Sequence, residues 1–197
     1  LRMSRGLGDV YKRQIYMEFV TKTSPAHDSY SILSGSQQFA VNDYTPLMPE
    51  NDYFYDYPFQ LGYAFVGEII IRIFGDNAYF VLQLLNILAS VGISAALILF
   101  SKLAFNKRKA INYTILFLFG CIQPILFTTF HYGNLLGFSF SLWAVLFMCF
   151  YLKNRKKRFI LYSAVFISVG IICKSNSLII LTATVYCLLY TSDAADE

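Results

Sequence analysis

The stretch AYFVLQLLNILASVGISAALILF (78–100) decides the fold, because it runs without a single charged residue. Crossing the hydrocarbon core of a bilayer takes about 20 mostly apolar residues, and this run meets that length. The rest of the 197-residue chain agrees with it: 56% of residues are hydrophobic and 14% charged. A soluble domain carries about 25% charged residues, and disorder requires low hydrophobicity with high charge. The composition therefore excludes an ordinary cytosolic domain and a disordered chain, and points to one solvated by lipid.

Working outward, further spans are predicted at about 110–130, 135–152, 159–173 and 178–190. The last two are separated by the polar break Lys174-Ser175-Asn176-Ser177, and Pro124 is expected to kink the second span. The fold class is all-α: a polytopic transmembrane helical bundle with an outer first loop containing a juxtamembrane helix.

Charge placement orients the bundle. No Asp or Glu occurs from Asn77 to Thr191, and nine cations gather in two knots, Lys102/Lys107/Arg108/Lys109 and Lys153/Arg155/Lys156/Lys157/Arg158. Cytoplasmic loops carry the excess of Lys and Arg, so both knots are expected inside, and the apolar, charge-poor composition argues against a nucleic-acid partner despite the net charge of +4. The acidic, Tyr-rich segment 15–77 then lies outside a cell membrane, as does the turn HYGN (131–134). Within it a juxtamembrane helix is expected over about 58–74, with Asp56 as its cap, Pro58 in its first turn and Gly75 at its end. Glu68 and Arg72 stand four apart in the favourable order.

The two ends read differently. Residues 1–14 and 187–197 resemble translated sequencing adapter and are expected to be non-native, leaving a piece of a larger membrane protein; a genuine polar tail at each end is the alternative. The multi-pass body is then 78–190, after the outer segment 15–77.

Gln83, Asn86, Ser90 and Ser94 share one face of the first span, as the wall of a polar path or as small-residue helix packing. Cys121, Cys149, Cys173 and Cys187 lack metal or disulfide spacing and read as buried thiols. Between Thr23 and Thr191, only Arg72 and Lys174 carry positive charge outside the knots. Both fall on the outer side with His131, where an intramembrane cation is a functional candidate and suits a lipid phosphate. The plainer alternatives are snorkelling for Lys174, a Glu68 pair for Arg72 and an interfacial turn for His131.

The run YPFQLGYAFVGEIIIRIFGDNAYFVLQLLN (57–86), preceded by PAHDSY (25–30) and followed by HYGN and the KSN break (174–176), resembles the integral-membrane glycosyltransferases of the GT-C fold. The likeness is to the family-39-like branch with protein mannosyltransferases and lipid A aminoarabinose transferases. It implies sugar transfer from a polyprenyl-phosphate-linked donor to a glycan, lipid or protein acceptor on the extracytoplasmic face. By position, Asp28 matches the loop acid that serves as general base. Tyr57, Pro58 and Gln60 match the entry to the juxtamembrane helix, and Lys174 matches a lysine near the donor phosphate, with Arg72 as its companion. Ser29 stands where many members have a second acid, and His131 and Asn134 stand where many have an Asp. Asp52 or Asp56 is left as a possible second carboxylate, no metal ligand is assigned, and a divalent metal stays open. The other reading is a non-enzymatic transporter, flippase or structural subunit handling lipid-linked saccharides, with the Gln83/Asn86/Ser90/Ser94 face as its path.

Overall fold

The computed structural model describes residues 12, 25, 27–51, 53–121 and 126–186, and follows the last helix on to Asp196. Among these the architecture is all-α. Helices α1 (Asp28–Ala40), the single turn α2 (Tyr53–Asp56) and α3 (Leu61–Phe74) come first, with short 3-10 turns between them. The long α4 (Ala78–Phe105) follows, then α5 (Arg108–Gly120), α6 (Asn134–Asn154), α7 (Arg158–Cys173) and α8 (Ser177–Asp196).

Two helical stretches, Pro58–Phe105 and Asn134–Asn154, are long and apolar enough to cross a membrane, and Arg158–Cys173 and Ser177–Tyr186 are shorter apolar helices. Large apolar side chains stay exposed along them, among them Leu88, Phe138, Leu161 and Ile179. Such a surface is unstable against water and suits lipid. The chain is an all-α membrane helical bundle.

The first stretch bends at Gly75, whose φ of 54° lies in the left-handed region that glycine enters without a Cβ penalty. Asp56 does not cap the helix after it, contrary to the sequence expectation. It ends α2, while Tyr57 precedes a 3-10 turn over Pro58–Gln60 and makes no side-chain cap bond. Helix α5 stops at Gly120, with Cys121 in extended backbone, well short of the run expected to 130. An α-helix passes the N–H of each residue to the carbonyl four before it, and proline at 124 has none to offer Gly120. Pro124 itself lies outside the described residues, as do Asp52, residues 1–11 and most of 13–26.

The bundle closes through small residues. Helices α4 and α6 meet where Trp143 Nε1 donates to Gly92 O at 3.1 Å, and α6 and α7 meet where Ser163 Oγ donates to Ala144 O at 2.8 Å. Gln83, Asn86, Ser90 and Ser94 are all buried. Asn86 Nδ2 donates to the carbonyls of Thr128 and Phe130, at 3.3 and 3.0 Å, and Ser94 Oγ donates to Ser90 O at 3.1 Å. That face packs helices and pins the turn after α5. Cys173 is buried, whereas Cys121 and Cys149 are only half-buried.

Candidate functional site

The KSN break is held by close backbone approach. A Cβ on Gly62 of α3 would stand 1.9 Å from Ile172 O, and one on Gly133 would stand 2.0 Å from Cys173 O. On Gly137 of α6 it would meet Lys174 Cβ at 2.7 Å. Three glycines from three segments therefore let the end of α7 press inward, and Lys174 is carried in with it.

Lys174 is only 7% exposed. Its Nζ lies over the Tyr132 ring, 4.1 Å from the centroid, and 5.1 Å from that of Phe59. It donates to Gln60 Oε1 at a long 3.4 Å, and Gln60 Nε2 donates in turn to the Tyr132 hydroxyl. Among the described residues no carboxylate pairs with Lys174, and the ion pair is Arg72–Glu68. A buried cation without a counterion is costly, and hydrogen bonds and ring faces offset that cost only in part.

Two hollows adjoin this point. One, of about 290 Å³, is lined by Lys174, Asn134, Asn176, Ser177, Phe138 and Ile180. The other, about 420 Å³, is an apolar groove between α4, α5 and α6, lined by side chains such as Ile93, Leu97, Phe117 and Leu118. Asn134 and Phe138 belong to both walls, so a polar cavity and an apolar groove share one edge.

Asp28 opens α1 as an exposed first-turn residue, where a carboxylate is favoured by the helix dipole. Its neighbour Ser29 is buried and accepts from His131 N at 2.8 Å, which joins the start of α1 to the turn carrying Tyr132. Tyr53 bridges the same region: burial first, then the charge of Asp28, then Tyr132 and Tyr57, push its phenol above the ordinary value. Tyr53, Tyr57 and Phe59 pack ring to ring in turn, and Phe59 and Tyr132 both face Lys174.

The other candidates fall elsewhere or play a different part. Arg72 Nε donates to Glu68 Oε1 at 2.9 Å, and its Nη2 donates to Phe39 O at 2.9 Å and Asn42 Oδ1 at 2.8 Å. It ties α3 to the end of α1 and shares no partner with Lys174. His131 is 2% exposed and packs at a tilt against Tyr63 with 5.1 Å between ring centroids, and neither ring nitrogen has a hydrogen-bond partner among the described residues. Burial lowers its pKa to about 4, so the ring is neutral. Asp56 and Tyr57 are exposed and Asp52 lies outside the described residues. Among the described residues no cluster of three His, Cys, Asp or Glu is placed to hold a metal ion.

Sequence reasoning did not single out Tyr132, Phe59 and Tyr53. Tyr132 and Phe59 each adjoin a residue it did name, and that adjacency was the available signal.

The family model for dolichyl-phosphate-mannose-protein mannosyltransferases matches residues 57–195, more than half of the chain. The chain belongs to that family. It is accordingly a membrane glycosyltransferase of the GT-C kind, as the YPFQ entry, HYGN turn and KSN break led one to expect. The match takes in Gln60, Tyr132 and Lys174 and begins after Asp28. No curated protein matches the chain, and no solved structure does.

Proposed function

We propose that this family member transfers a sugar from a polyprenyl-phosphate donor to an acceptor hydroxyl on the outer face of a multi-pass bundle. The observation that carries the reading is Lys174, a buried cation with no carboxylate partner among the described residues, at the edge of a polar cavity. That cavity shares Asn134 and Phe138 with an apolar groove. A lipid phosphate needs those two environments side by side: a positive charge for the headgroup and an apolar trough for the chain.

The chemistry follows from that placement. Asp28 takes the proton of the acceptor hydroxyl, whose oxygen forms a bond to the anomeric carbon. The bond from that carbon to the phosphate oxygen breaks, and polyprenyl phosphate leaves with the electron pair. Negative charge grows on the phosphate as it departs, and Lys174 meets it in a site poor in water, where a fixed charge counts most. Arg72 is left out of this scheme because Glu68, Phe39 and Asn42 already take its donors. The basic knots support a cytoplasmic position for the other end of the bundle. A transporter reading would need the Gln83/Asn86/Ser90/Ser94 face as a path, and its burial in helix packing favours the enzyme instead.

The test of the base is Asp28→Asn in membranes carrying the full-length protein, with a labelled polyprenyl-phosphate sugar. Turnover is expected to fall by about 10²–10⁴-fold, the size of a lost general base, with donor KM little changed. Undiminished turnover contradicts the role of Asp28.

A further inference from the structure

We infer that Tyr132 is the positioning residue for Lys174, holding its ammonium in place without neutralising it. The inference rests on the reading of Lys174 as the group that meets the donor phosphate. Tyr132 acts on the lysine twice. Its ring face lies 4.1 Å from Nζ, inside the roughly 6 Å within which a cation is drawn to an aromatic quadrupole. Its hydroxyl accepts from Gln60 Nε2, which leaves Gln60 Oε1 facing the ammonium at 3.4 Å. An amide turned the other way would set its N–H groups against a cation. The ammonium, which can only donate, selects the amide orientation, and the Tyr132 hydroxyl, which can donate or accept, holds the other end of the amide in place.

The competing contacts are weaker. Phe59 is farther, at 5.1 Å, and is itself exposed. The Gln60 contact at 3.4 Å is at the long edge of hydrogen bonding. Tyr132 is also the better anchored wall. The turn that carries it is held by His131 N donating to Ser29 Oγ at 2.8 Å and by Asn86 Nδ2 donating to Phe130 O at 3.0 Å. Gly133 packs against the backbone of Cys173 on its other side.

The choice of ring and amide over carboxylate has a chemical consequence. A carboxylate beside Lys174 would form an ion pair and compete with an arriving phosphate. An aromatic face and a neutral amide localise the ammonium while leaving its full charge to be answered by the ligand.

Steady-state transfer by the full-length protein in membranes tests this, with a labelled polyprenyl-phosphate sugar as donor. Tyr132→Leu is expected to raise donor KM about tenfold, the scale of a desolvated cation–ring contact. Both kcat and acceptor KM should stay within about twofold. Tyr132→Phe, which keeps the ring, should recover most of that loss. With Lys174→Ala as background, Tyr132→Leu should add little, because the two residues act as one unit. Gln60→Glu supplies a second arm should Tyr132→Leu fail to fold: the new carboxylate should raise donor KM more than Tyr132→Phe does. A rise with Lys174→Ala but none with Tyr132→Leu or Gln60→Glu overturns the inference and leaves the phosphate reading intact, as does full additivity in the double variant. An unchanged donor KM in Lys174→Ala overturns the reading beneath it.

Discussion

The ammonium of Lys174 rests 4.1 Å from the centre of the Tyr132 ring, across a break between two apolar helices. Both groups are set there by backbone geometry more than by side-chain reach. Three glycines let the end of α7 touch α3, the 131–133 turn and α6, so the site depends on packing at positions that carry no chemistry themselves.

Gly62→Ala is the sharpest test of that dependence. The new methyl would stand 1.9 Å from Ile172 O, a backbone atom that cannot swing aside. Overpacking of this kind costs about 1–3 kcal/mol, and a lower Tm in detergent is expected together with a raised donor KM. Gly120→Ala, with nothing within 4 Å of its Cβ, should leave both near their original values. Equal behaviour of the two variants would remove the close-approach explanation.

His131 makes stability depend on pH. Its folded pKa lies near 4, lowered by burial from 6.5, so the unfolded chain takes up the proton first as pH falls. Stability is then fully present above about pH 6.5 and declines toward pH 4. The loss is about 3 kcal/mol at most, from 1.36 kcal/mol per pKa unit. His131→Phe should flatten the acid limb of a Tm-against-pH curve. An unchanged limb in that variant would assign the acid sensitivity to other groups.

Arg72 should matter to stability and little to donor binding. Its exposed ion pair contributes only about 0–1 kcal/mol, and the bonds to Phe39 O and Asn42 Oδ1 add about 1–2 kcal/mol in total. Arg72→Ala should lower Tm modestly and leave donor KM within about twofold. A donor KM raised as far as in Lys174→Ala would return Arg72 to the phosphate site.

The helices were largely legible in the sequence because lipid imposes a simple rule on composition. Runs of apolar residues bounded by Lys102–Lys109 and Lys153–Arg158 mark where α4, α6 and α7 lie. Gly75 was legible too, since a left-handed turn between α3 and α4 favours glycine. The early end of α5 was half-visible: Pro124 announced a disturbance, but only the backbone shows that it falls four residues earlier, at the carbonyl that proline cannot serve. Lys174 stood out as an isolated intramembrane charge. Its partners did not, because Gln60 is 114 residues away along the chain and hydrophobic patterning carries no information about such pairs. Arg72 looked like a second phosphate cation for the same reason that Lys174 did. Only its contacts with Phe39 and Asn42 give it a different occupation.

The most direct measurement is donor KM for Lys174→Ala against the unaltered full-length protein, with a labelled polyprenyl-phosphate sugar in membranes. A buried charge-assisted contact to phosphate contributes about 1.5–3 kcal/mol, so donor KM should rise at least tenfold while acceptor KM stays within about twofold. An unaltered donor KM, or an equal rise for both substrates, would contradict the account.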